Sequence, residues 1–290
     1  IFGTFLNLMV LVYSVFTSGN LLREFCEAVL ISALPETPIS VIVLLFLVTV
    51  LLAVYIGFEP LVRCAYIVFP FIFFGTLMII LATLPLADPI HIFPLLGSGL
   101  KKILTYAAPF SSAFMEVVIL AILMPYFSFD NKEVKKIGYK SIIMLTLFFS
   151  LTTLMYQIVL PYPSASESFL PLYQMARSIS VGRFLQRVEA LYILFWTFSA
   201  FIRLALALFL AVYLYKEVFR LPYMKPLIPA IAVIFFSAAL TPANFIISIQ
   251  TDFFRLILGG LVGFGIPFLG LILALVRGKG EKSGWSDKKG

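Results

Sequence analysis

Charge is scarce in this chain. Of its 290 residues only 12% are Asp, Glu, Lys or Arg, about half the share of a soluble domain. A single histidine, His91, and two cysteines, Cys26 and Cys64, leave too few side chains for a zinc set, a histidine triad or a disulfide framework. No G-x-x-x-x-G-K-S/T loop and no G-x-G-x-x-G run occurs, so nothing points to nucleotide binding. These deficits exclude a soluble enzyme, a nucleic-acid binder and a disordered chain. No enzymatic activity, cofactor or metal is expected.

What the chain has instead is apolar mass. Hydrophobic residues make up 62% of it, with 31 Phe and 13 Tyr, and the mean hydropathy is +1.08. That is more apolar surface than one core can bury, and it reads as an all-α polytopic membrane protein, because only helices or closed barrels satisfy backbone groups in lipid. Eight charge-poor runs predict spans at about 2–22, 39–58, 64–84, 103–127, 141–160, 190–215, 227–240 and 253–276. The run at 227–240 is short and bracketed by Pro226 and Pro242. Residues 277–290 form a Gly-, Lys- and Ser-rich tail, expected to be disordered.

Lys and Arg divide unevenly between alternate loops, 13 on one side and seven on the other. The net charge of +7 therefore needs no nucleic-acid partner. The richer side and the C-terminal tail are expected in the cytoplasm. Ile1 opens directly into an apolar run with no signal-peptide pattern, so an N-terminal portion is expected to be missing. The connections at 92–104 and 169–185 are semi-apolar with spaced basic residues. In the second, Leu170, Tyr173, Ala176, Ile179 and Phe184 can share one face and Arg177 and Arg183 another, the pattern of an interfacial helix.

Two charged residues stand inside spans. Arg203 lies 14 positions after Glu189 and 13 before Lys216, about 20 Å from either. Insertion scales charge at least about 2.5 kcal/mol for Arg at such a depth, so it must face protein or water. Its neighbours at three and four positions, Ser199, Ala200, Leu206 and Ala207, make a mostly small face. Glu116 sits deep in the fourth span, after Pro109, Ser111 and Ser112. Proline frees a carbonyl and serines can satisfy it, and irregular backbone at membrane depth lines cavities in transporters. A Glu116–Arg203 pair is one expected arrangement. The glycines at 259, 260, 263, 265 and 270 favour close helix packing over a ligand role. Asn7, Gln157 and Asn244 are candidate polar groups within the bundle.

The chain resembles the B subunit of the spore germinant receptors, a branch of the amino acid–polyamine–organocation transporter superfamily. The resemblance rests on Pro171-Leu172, Ala176-Arg177, Ile179-Ser180, Phe184-Leu185, Arg187 and Glu189-Ala190-Leu191, followed by Trp196 and Phe201-Ile202-Arg203. Gly57, Glu59 and Arg63, Leu22-Arg23-Glu24-Phe25, and Glu116 with Pro125-Tyr126 also fit. Where the family tends to have Pro-Phe-Gly before Glu116, this chain has Ala113-Phe114-Met115. The resemblance implies a helical bundle of two inverted five-helix repeats, with helices three to ten of ten present. It implies a germinant-sensing subunit of the spore inner membrane that binds a small nutrient such as an amino acid. Its partners would be the A-type and C-type receptor subunits and membrane lipid. The implied ligand-binding residues are Ser111, Ser112, Glu116, Ser199 and Arg203. The alternative is an amino-acid permease coupled to protons or sodium, with Glu116 as proton carrier.

Overall fold

The structure, a computed structural model, describes residues 2–97, 99–114, 117–123, 130–168, 170–179 and 188–276. Every regular element among these is helical. The order is α1 (Phe2–Ser32), α2 (Ile39–Ile56), α3 (Phe58–Thr83), α4 (Leu100–Phe110), α5 (Val117–Ile122), α6 (Asn131–Val159), α7 (Tyr162–Glu167), α8 (Pro171–Ser178), α9 (Val188–Phe219), α10 (Leu227–Leu240), α11 (Phe245–Gly260) and α12 (Ile266–Val276). Short 3-10 turns at Leu84–Leu86, Pro89–Ile92 and Ser111–Phe114, and a π turn at Leu261–Gly265, complete it.

Six of the described helices are long and apolar enough to cross a membrane, counting α11 to α12 as one continuous rod. The chain is an all-α polytopic membrane protein. α10, with 14 residues, is a shorter apolar helix. Tyr66, Ile67, Phe71 and Phe74 of α3 are exposed, as are Leu44, Leu45 and Leu52 of α2. Such continuous apolar surface would be a liability in water and is normal against lipid.

α9 is the axis of the bundle. Its Leu204, Ala205, Leu208, Ala211 and Val212 are buried, and they form one core with Leu22 and Cys26 of α1, Val43 and Val50 of α2, and Phe235 and Ala239 of α10. Lipid tails are as apolar as leucine, so small residues that admit close backbones decide which helices meet. Gly19 shows this: a Cβ placed there would lie 2.5 Å from Ala238 Cβ, so α1 and α10 touch where only glycine fits.

Helix ends follow local chemistry. Asn244 caps α11 by accepting from the Ile247 N–H at 2.9 Å. Arg220 takes φ 52 just past α9, and the Leu221 N–H returns to Lys216 O at 2.9 Å. Gly57 takes φ 131 between α2 and α3, a conformation that a side chain would strain.

Three expectations change in detail. α1 does not stop at Leu22 but runs to Ser32, because Arg23 and Glu27 form a buried i,i+4 pair at 2.6 Å and neutralise each other inside the helix. α11 starts at Phe245 rather than near Phe253, because Asn244 supplies the cap, so Asp252 and Arg255 lie within the helix. Arg23 and Arg255 therefore stand inside helices, as do Arg63, Lys101, Lys102, Lys132, Lys135, Lys136, Lys140, Arg177 and Lys216. In the connection at 169–185, α8 forms with Met175 and Ala176 fully buried, packed against α3, α6 and α9. Phe184, Arg183 and residues 277–290 lie outside the described residues.

Candidate functional site

The fourth run of the sequence is broken where its composition demands it. α4 ends at Phe110, just after Pro109, and Ser111–Phe114 tightens into a 3-10 turn before α5. The π turn Leu261–Gly265 widens the other end of the bundle sequence. Ser112 and Ala113 from the first turn and Val262 and Gly263 from the second line the same cavity, of about 210 Å³. Irregular backbone at membrane depth is tolerated where it lines a cavity, and π turns concentrate at functional sites.

The other walls are α1, α9 and α5, the last through Ile119 and Ile122. α1 presents Asn7, Ser14, Thr17 and Ser18, spaced at helical intervals, and α9 presents Arg203, Leu206 and Ala207. Arg255 of α11 also reaches this cavity. Thr17 Oγ1 is buried with no hydrogen-bond partner among the described residues. The described lining thus offers two guanidiniums, several hydroxyls and no carboxylate.

A second cavity, of about 240 Å³, lies on the other side of Arg203. Glu24, Ser199, Ala200 and Arg203 line it, with Phe25 and Trp196 as an aromatic wall whose ring centres are 5.0 Å apart. Leu21, Arg203 and Leu204 belong to both cavities. The four helix neighbours of Arg203 divide accordingly, Leu206 and Ala207 to the first and Ser199 and Ala200 to the second.

Of the site residues expected from sequence, Ser112, Ser199 and Arg203 therefore meet at this pair of cavities. Ser111 is exposed, and its hydroxyl donates back to Ala108 O at 2.6 Å. Glu116 and its expected pairing with Arg203 lie outside the described residues. Asn7 lines the first cavity, Asn244 caps α11, and Gln157 is exposed.

A polar cluster that no sequence motif marks joins α1 to α11. Asn20 Nδ2 donates to Glu24 Oε1 at 2.8 Å and to Asp252 Oδ1 at 3.0 Å, and Ser248 Oγ donates to Asn20 Oδ1 at 2.9 Å. Arg255 closes the cluster on Asp252 through Nε to Oδ1 and through Nη2 to Oδ2. Tyr13 OH donates to Arg255 O at 3.2 Å. The available signal was spacing: Asn20 and Glu24 are four apart, and so are Ser248 and Asp252, each pair inside an apolar frame.

A family model described as Spore germination protein matches residues 1–246. The chain belongs to that family. Spore germination protein KB of Bacillus subtilis (strain 168) is 27% identical over 212 residues, covering 71% of this chain and 56% of the relative. The chain thus spans little more than half the length of that curated relative. No solved structure matches it. The family is not a known enzyme family. The matched range takes in Asn20, Glu24, Ser112, Ser199 and Arg203, whereas Asp252, Arg255 and the π turn lie beyond it.

Proposed function

We propose that this chain is the germinant-sensing part of a B-type membrane subunit of a spore germinant receptor, and that it binds a small nutrient such as an amino acid. The observation that carries the reading is the first cavity, where two irregular turns from separate rods meet Arg203, Arg255 and the hydroxyls of α1. Membership of the spore germination protein family supports the role. Ser112 and Arg203 act from the first cavity, and Ser199 and Arg203 from the second. Ser111 and Glu116 flank the break in the fourth run.

The membrane is the spore inner membrane, with residues 277–290 as a cytoplasmic tail. The partners are A-type and C-type receptor subunits and the surrounding lipid. The broken rod α4–α5 and the short α10 supply the two further crossings needed for eight, at about 103–127 and 227–240. The eight are arranged like helices three to ten of a transporter with inverted repeats. The uneven Lys and Arg count between the connections read from the sequence, 13 against seven, supports the orientation.

Deleting the full-length gene in its host and following dipicolinic acid release from purified spores tests the role. Loss of response to one nutrient, with responses to other amino acids and sugars intact, is the expected outcome. Unchanged responses together with reduced amino-acid uptake in growing cells would overturn it in favour of a permease.

A further inference from the structure

The first cavity and the α1–α11 contact share Tyr13 and Arg255. Arg255 lines the cavity, and the same guanidinium holds Asp252 by two bonds, the second at 3.0 Å. Asp252 and Glu24, from different helices, accept from the one amide of Asn20. Arg255 is hydrogen-bonded to Asp252 of this pair. The other charges near it are accounted for. Arg23 is held by Glu27, Arg203 faces the cluster from α9 across the two cavities, and α2 and α10 carry no charged residue.

We propose that Arg255 is both a contact for a ligand carboxylate in the first cavity and the cation that holds Asp252, the carboxylate joining α11 to Asn20 of α1, so that ligand arrival loosens α11. This rests on the ligand-binding reading above and adds the chemical class recognised and the element that moves. A guanidinium presents five donors and Asp252 occupies two of them, so a ligand carboxylate can engage the remaining donors first and then draw the guanidinium off Asp252. Thr17 Oγ1, buried and unpartnered among the described residues, gives the same cavity a hydroxyl free to donate. The guanidiniums and hydroxyls of the described lining favour an anionic group over a cationic one.

The consequence for α11 is electrostatic. A carboxylate that draws Arg255 away from Asp252 removes the cation bonded to it. Asp252, left with Asn20 of α1 as its partner, is then a less well offset charge at the α1–α11 contact in a medium that screens it poorly. The π turn Leu261–Gly265 follows α11 directly and lines the same cavity through Val262 and Gly263, so the rod has an irregular joint where α11 can turn against α12. Ligand and Asp252 compete for one guanidinium, which is the differential interaction that a population shift requires.

Hydrogen–deuterium exchange on the purified full-length protein in lipid nanodiscs tests this, with acetate, glycine and glucose as probes and equilibrium dialysis of each probe alongside. Acetate or glycine is expected to raise exchange over 245–260 by about fivefold or more relative to α10, and glucose is expected to leave it unchanged. In Asp252→Asn the exchange over 245–260 is expected to be raised already and to respond no further. Binding of glycine or acetate with no change in α11, or an equal response to glucose, overturns the proposal and leaves the ligand-binding reading standing. Failure of all three probes to bind overturns both.

Discussion

Replacing Asn20 by alanine removes the hub of the α1–α11 cluster, and the cost can be worked from its bonds. The residue is 3% exposed. Its amide gives two good hydrogen bonds, 2.8 Å to Glu24 and 3.0 Å to Asp252, and its oxygen takes the Ser248 hydroxyl at 2.9 Å. The longer approach to Ser248 O, 3.4 Å, has no third proton left to fill it. Interhelical hydrogen bonds in membrane bundles average about 0.6 kcal/mol, and bonds to charged acceptors reach about 1.5–3 kcal/mol. One neutral and two carboxylate bonds, at the low end of these values, give a loss of about 3.6 kcal/mol. Alanine recovers about 0.6 kcal/mol of helix propensity. The expected net destabilisation is about 3 kcal/mol. Unfolding of the purified protein by a graded denaturing detergent, followed by circular dichroism, measures it. Thr146→Ala is the control: its exposed hydroxyl donates only to Ile142 O of its own helix, and the change should stay within about 0.5 kcal/mol. If Asn20→Ala is as stable as Thr146→Ala, the cluster does not hold α1 to α11 and the reasoning fails.

Other substitutions separate packing from open space. Gly19→Ala forces α1 and α10 apart and should cost about 1–3 kcal/mol in the same assay. Gly260→Ala, whose new methyl meets nothing within 4 Å, should be neutral or stabilise by about 0.5–1 kcal/mol. Phe235→Ala empties a fully buried site in the main core and should cost about 3 kcal/mol or more. Maleimide labelling of the folded protein should modify Cys64, which is partly exposed, well before the buried Cys26, and equal rates would contradict the packing of α1.

Composition and periodicity made the membrane class plain, because apolar runs of the required length leave few alternatives. Pro109, Ser111 and Ser112 marked the break in the fourth run, and the small face around Arg203 marked its approach to a cavity. What stayed hidden has physical causes. Arg23 and Glu24 read as a helix end, since a charge in a run normally marks water. Here Glu27 and Asn20 satisfy them within α1, and only the folded chain shows that. Arg255 read as a loop cation for the same reason, because Asp252 lies one turn away and α11 begins eight residues earlier than the apolar run. The glycine run read as a packing face. Gly259 and Gly263 are buried as that implies, but Gly260, Gly265 and Gly270 face open space, and Gly263 belongs to a π turn at the cavity. A widened turn has no sequence period of its own. Close approach falls instead at Gly19 and Gly75, single glycines in unremarkable surroundings.

The central claim is that the first cavity receives the nutrient. Spores carrying the full-length gene with Ser112→Trp, a buried position on the 3-10 wall, test it against spores carrying Thr146→Ala. The assay is dipicolinic acid release in a concentration series of the nutrient whose response the gene deletion abolishes. With protein levels equal by immunoblot, the account predicts that Ser112→Trp needs about tenfold more nutrient or does not respond, a loss of about 1.4 kcal/mol or more. A Ser112→Trp protein present at the normal level and responding like the wild type would contradict it.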